Sequence, residues 1–169
     1  MPRTPLQAAG FLLGLTLALW LSPLVVRAGP ALEEGRRDAL EAALHAKVNR
    51  VREDRHLISL VRMPELDAVA RAHSRDMAER HYLGHESPEG RNPVYRLQAG
   101  GIRGFSLAAE NIGLTNRSEP TREILEGWLA SLDHRQNLHA PAFNVTGIGV
   151  ARRADGTLLY TQLYLTLPR

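Results

Sequence analysis

The chain has no cysteine in 169 residues, so any chemistry it performs must rest on imidazole, carboxylate, hydroxyl or guanidinium groups. Disulfides, thiolate metal sites, cysteine nucleophiles and a lipid-modified cysteine anchor are excluded. The seven histidines come first, because imidazole serves as acid–base, metal ligand and pH-sensitive charge. His81 and His85 are four apart, which resembles a helical zinc-binding pair. However, Tyr82 stands where that motif carries Glu, and Gly84 interrupts the helix. His73 lies beside the apolar stripe of a predicted helix and reads as a hydrogen-bonded core or boundary residue. His45, His56 and His81 read as solvated or boundary residues. Ser131, Asp133 and His134, with Glu110, make a hydrolase-like set, since helical spacing brings Ser131 near His134. No Gly-x-Ser-x-Gly elbow or obvious oxyanion hole accompanies them, which argues against nucleophilic catalysis. Glu110 ends the apolar run Leu107-Ala108-Ala109 and precedes Asn111 and Ile112. A carboxylate there is either exposed at a sheet margin or paired with a cation or imidazole, and the sequence leaves both open.

The elements that must position these groups follow from hydrophobic period. Leu40, Leu44, Val48 and Val51 mark one face of a helix over about 37–54. Pro64 suits the first position of a second helix, with Leu66, Val69, Ala70, Met77 and Ala78 as its stripe, running to about Tyr82. Residues 84–92 are a loop rich in turn residues, followed by a short helix over Pro93–Ala99. A strand is expected towards Ile112 within 104–112. A further helix is expected from a Ser118 cap with Pro120 in its first turn to about Leu132. Residues 134–143 read as irregular, broken by Pro141. Two strands, 144–152 and 157–167, flank Asp155-Gly156, a strong hairpin signal. The last strand is apolar or aromatic on both faces, so both must be covered. The expected fold class is α+β: a three-layer α-β-α sandwich with helices on both sides of a small antiparallel sheet.

Ahead of these elements, Arg3 precedes the uncharged stretch Ala8–Val26, and Val26-Arg27-Ala28 offers a cleavage site before Gly29. Residues 1–28 therefore read as a secretory signal peptide, 29–37 as a linker and 38–169 as the domain. The rival reading is an uncleaved N-terminal anchor, which the Ser22-Pro23 break disfavours. Of the formal charge of +3, Arg3 and Arg27 supply two units. No basic block is present, so nucleic acid is not an expected partner.

Several of these residues form an ordered pattern. It comprises Val48-Asn49-Arg50, Leu66 and Ala70, Gly84-His85, and Ala109-Glu110-Asn111-Ile112. It continues with Trp128-Leu129-Ala130-Ser131 leading to His134-Arg135 and Asn137-Leu138, then Gly147-Ile148-Gly149-Val150 and Tyr160-Thr161-Gln162. Over about residues 40–166 the chain resembles the CAP superfamily (cysteine-rich secretory, antigen 5 and pathogenesis-related 1 proteins) in its cysteine-free bacterial branch. The resemblance implies the same α-β-α sandwich and a central cleft, which in many relatives is lined by two His and two Glu able to hold a divalent metal. His85 matches the first His and Glu110 the first Glu. The second Glu position appears as Ser131 and the second His position as Leu159, while His134 belongs to the bacterial Ser-x-x-His-Arg pattern. The expected cleft set is thus His85, Glu110, Ser131 and His134. A metal-free cluster is favoured, since Ser and Leu are poor zinc ligands; the alternative is an open zinc site of His85, Glu110 and His134.

The resulting expectation is a secreted or periplasmic binding module, without assigned catalytic residues or cofactor. Its ligand would be a lipid, a cell-wall component or a protein, and it would meet the membrane only during export. A metal-assisted hydrolase using the same cleft is the alternative, and an inert structural envelope protein a third reading. If His85, Glu110 and His134 converge, Glu110 is expected to bond an imidazole and raise the pKa of His85 or His134, with burial opposing.

Overall fold

The computed structural model describes residues 32–168; the expected signal peptide, 1–28, lies outside them. Five helices and four strands follow in the order α1 (Glu34–Glu53), β1 (Val61–Arg62), α2 (Pro64–Glu79), α3 (Pro93–Ala99), β2 (Leu107–Thr115), α4 (Pro120–Ala130), α5 (Leu132–His139), β3 (Val145–Arg152) and β4 (Leu158–Thr166). The strands form one sheet of order β1-β3-β4-β2. It is antiparallel as expected, except that β1 lies parallel to β3.

The two-sided apolar pattern of β4 has the predicted consequence. On one face α2 sets Leu66, Val69 and Ala70 against Val145, Leu163 and Leu165. On the other, α1 and α4 set Leu44, Val48, Ile124 and Trp128 against Ile148, Val150, Tyr160 and Tyr164. Gly147 and Gly149 let α2 approach closely: a Cβ on Gly149 would lie 2.1 Å from the Arg71 amide nitrogen, and one on Gly147 2.3 Å from the Leu66 carbonyl carbon.

Several boundaries differ from expectation for local reasons. α1 begins at Glu34, inside the predicted linker 29–37, where Arg37 pairs with Glu34 at 3.0 Å across the first turn. α2 stops at Glu79, not Tyr82, because His81 takes a left-handed φ of 57°. Ser118 does not cap α4; Glu119 precedes the helix and makes no side-chain cap bond. Residues 132–139, expected to be largely irregular, form α5. The chain breaks out of α4 at Ser131 (ψ 132°) and restarts. The fully buried Arg52 then holds the far end of α5, donating to the Leu138 and Ala140 carbonyls at 2.9 and 3.0 Å.

Side chains finish both edges of the sheet. β1 covers only Val145 and Thr146 of β3. Beyond it, Ile148 N–H donates to Asp67 at 2.8 Å and Val150 N–H to Glu41 at 3.2 Å. On the β2 edge, Trp128 Nε1 donates to Ile112 O at 2.8 Å and Asn137 Nδ2 to Glu110 O at 3.3 Å. Neither edge presents a bare ladder to another chain.

Candidate functional site

Strand alternation sends adjacent residues of β2 in opposite directions. Glu110 pairs with Leu163 and so faces the α2 side, whereas Asn111 pairs with Gln162 and faces α5. The Glu110 side chain is only 1% exposed. A buried carboxylate is stable only when paired and hydrogen-bonded, and both its oxygens are engaged. Oε1 accepts from His85 Nδ1 at 2.8 Å, and Oε2 accepts from Arg96 Nη2 at 2.6 Å. His73 Nε2 stands 4.0 Å from Oε1.

His85 lies in the loop after α2, and that loop is pinned from three sides. The His73 ring bonds Gly84 O at 3.0 Å, Arg96 Nη1 donates to the carbonyls of His85 and Arg91 at 2.8 and 2.7 Å, and Arg80 pairs with Glu89. Arg96 therefore sets His85 twice, through its backbone and through the shared carboxylate. Because Glu110 occupies Nδ1, the open nitrogen of the neutral His85 ring is Nε2, on a side chain that is 49% exposed.

His134 reaches the same place from α5. Its ring centroid is 6.4 Å from that of His85 and 6.5 Å from that of Trp128. Its carbonyl accepts from Asn111 Nδ2 at 3.0 Å, and Asn111 in turn accepts from Asn137 Nδ2 at 2.9 Å. His85 and Glu110 are thus in direct contact, with His134 beside the exposed imidazole. Ser131 sits at the α4–α5 junction, where its carbonyl accepts from Arg135 N–H. Among the described residues no serine hydroxyl bonds an imidazole, so the Ser131–His134 hydrolase set does not assemble. Leu159, read as the second His position, lies in an apolar cluster with Met77, Ala78 and Ile112; the imidazole facing His85 is His134.

Burial holds the pKa of His73 below its ordinary value, with Glu110 pulling the other way. The neutral ring donates from Nε2 to Gly84 O, because a carbonyl only accepts. His134 is also lowered, first by burial and then by the nearby His85. Of the two histidines expected to carry an upward shift, His134 thus does not: the carboxylate pairs with His85, and burial prevails at His134.

The donor set does not fit the zinc site that the resemblance suggested. Both Glu110 oxygens are already paired, with Arg96 and His85, on a side chain only 1% exposed. Among the described residues no group of three or more His, Asp or Glu side chains is placed to hold a metal ion. Sequence reasoning missed Arg96 and gave His73 only a structural role. His73 had a signal, since it continues the Val69–Met77 stripe of α2. Arg96 had none, standing among other arginines around a short helix.

His85, Glu110 and His134 thus come together beside the β2 edge of an α-β-α sandwich, and the sequence matches one family over residues 45–164. The chain belongs to the Cysteine-rich secretory protein (CAP) family. It is 30% identical over 100 residues to the uncharacterized protein YkwD of Bacillus subtilis, covering 59% of this chain and 37% of the relative. It is 35% identical over 97 residues to the uncharacterized membrane protein YlbC of the same organism, covering 57% and 26% respectively. The chain thus matches well under half the length of these curated relatives. Among solved structures it is similar to an extracellular SCP-domain protein of Bacillus anthracis (31% identity, TM-score 0.68, covering 81% of this chain and 44% of that one). The fold also matches an outer surface protein of Borrelia burgdorferi (17% identity, TM-score 0.73, covering 83% and 99%).

Proposed function

We propose that this protein is a binding module acting outside the cytoplasm, and that its ligand bonds to the imidazole pair His85 and His134. The carrying observation is the burial and pairing of Glu110. With Arg96 on one oxygen, His85 on the other and a side chain only 1% exposed, the carboxylate is turned into the fold while its imidazole partner is half-exposed. Its role is to orient His85. The open Nε2 is then an acceptor at the mouth of the cleft, suited to a ligand that offers an N–H or O–H donor. The extracellular description of the Bacillus anthracis relative supports the location. Among the described residues no helix is long and apolar enough to cross a membrane.

The test is an NMR screen of small amides, amines and sugars against the mature chain, followed on the histidine ring signals. Hits are expected to move His85 and His134 together and to be lost in His85→Ala. Hits that leave both rings unmoved, or that survive His85→Ala, would overturn the reading. A parallel zinc titration addresses hydrolysis: stoichiometric tight zinc with release of Arg96 from Glu110 would favour the metal-assisted alternative.

A further inference from the structure

Between α2 and α3 lies a cavity of about 630 Å³ that takes His73 and Arg96 into its wall. This volume is in the range of small-molecule sites, roughly 300–1,000 Å³. The two helices run in opposite senses. Gly100, at the end of α3, packs on Val69 near the start of α2, where an added Cβ would lie 2.5 Å from Val69 Cγ2. The loop before α3 is tied to the other end of α2 by the His73–Gly84 and Arg80–Glu89 contacts. Glu65 therefore marks one end of the slot and Arg91 the other. Between them the walls are small and apolar, with Ala68 and Ala72 from α2 and Ala99 from α3.

The charges at the two ends differ from those in the middle. Arg96 is paired with Glu110, and Asp76 accepts from Tyr82 Oη and faces Arg80. Glu65 and Arg91 have no ion-pair partner among the described residues, and Arg91 stands 5.9 Å over the Tyr95 ring, its donors available. The slot thus has small apolar walls that also carry the paired charges of Arg96 and Asp76, with the unpaired carboxylate of Glu65 at one end and the unpaired guanidinium of Arg91 at the other. From Glu65 to Asp76 is eleven residues of helix, about 16 Å at 1.5 Å per residue. An extended chain rises about 3.3 Å per residue, so four or five residues match that length.

We propose that this slot is a second binding site, for a short apolar peptide of about four or five residues with both termini free. Its ammonium group lies at Glu65 and its carboxylate on Arg91, a charge-assisted contact. The site is separate from the His85 cleft, although Arg96 and His73 lie in the wall between them.

The experiment titrates the mature chain with the free pentapeptide Ala-Leu-Val-Leu-Ala, by calorimetry and by backbone NMR. Saturable binding that moves α2 and α3 signals is expected. Acetylating and amidating the peptide, or introducing Arg91→Ala, is expected to weaken it about tenfold or more. Ala72→Trp fills the slot from an exposed helix position, and is expected to abolish binding while the far-UV spectrum stays native. The proposal is overturned if the free peptide does not bind, if the capped peptide binds equally well, or if folded Ala72→Trp retains affinity.

Discussion

Glu41 and Glu110 are both buried carboxylates at the edges of one sheet, yet they close and open the structure respectively. Glu41, fully buried on α1, is held by Arg62 at 2.6 Å and by Arg71, and accepts the Val150 N–H of β3. Its partners are guanidinium groups and a strand amide, so the cluster ends in the fold. Glu110, on β2, is held equally firmly by Arg96, but its second partner is a half-exposed imidazole. Burial of the acid is nearly the same; the exposure and chemistry of its partner decide whether it seals an edge or holds a group open to solvent. The closely packed site beside Glu41 carries the largest expected effect. Gly149→Val places a side chain 2.1–2.2 Å from the Arg71 and Ala70 backbone. The variant is expected to be unfolded or insoluble; a soluble variant with native melting behaviour would contradict the packing of α2 on β3.

Next in size are the two acids. Glu41→Ala takes the shared buried carboxylate from Arg62 and Arg71, which keep only Asp67 and Asp38, and leaves the Val150 N–H unpaired; it is expected to cost about 3–5 kcal/mol, the usual result of breaking a buried ion pair. Glu110→Gln keeps an acceptor for Arg96 and is expected to cost about 1–3 kcal/mol, with its larger consequence at the histidines. Urea denaturation of both variants checks the ranking. Equal losses would mean that Glu110 is as structural as Glu41 and would remove the contrast.

That contrast was not legible in the sequence, although the fold largely was. The two-sided apolar pattern of β4, the Asp155-Gly156 hairpin and the α2 stripe carried the sandwich, because each is a local period that long-range packing only completes. Glu41 looked like part of the solvated face of α1, since its partners stand 21 and 30 positions away. Arg52 was hidden for the same reason, with carbonyl partners 86 and 88 positions on. α5 escaped notice because Leu138 is its only fully buried residue and its hold comes from Arg52. β1 is two residues long and gives no period at all. At the site, Glu110 was left between exposed and paired because nothing local distinguishes those states, and the pairing partner Arg96 lies on another element.

His73 reads both the burial and the charge of the Glu110 cluster. Its folded pKa is lowered by burial, below an unfolded value of about 6.5. Below that value the unfolded chain binds the proton more readily than the folded one. The stability due to neutral His73 is therefore complete above about pH 6.5 and is lost as pH falls towards the folded pKa. Glu110 opposes the lowering and Arg96 reinforces it. Glu110→Gln is thus expected to push the His73 pKa further down and to extend the acid loss to lower pH. Histidine NMR titration of the two proteins checks this; an unchanged His73 would mean that the 4.0 Å approach to Glu110 carries no coupling.

The smallest expected effect is at the imidazole pair, and it tests whether His85 and His134 form one site. His134 is lowered first by burial and second by the charge of His85, with Asp133 pulling weakly upward. Two imidazoles with centroids 6.4 Å apart resist double protonation, so the second proton is harder to bind than the first. Removing the ring in His85→Ala takes away that repulsion and also admits water to the His134 face, which relieves some of the burial. Both changes act in the same direction, so the His134 pKa is expected to rise towards its ordinary value. To separate them, His85→Gln keeps most of the side-chain volume while removing the charge, and a rise there as well isolates the electrostatic part. A rise in His85→Ala alone assigns the effect to solvent. No rise in either variant means that His134 does not sense His85, and the ligand-facing imidazole pair would reduce to His85 alone.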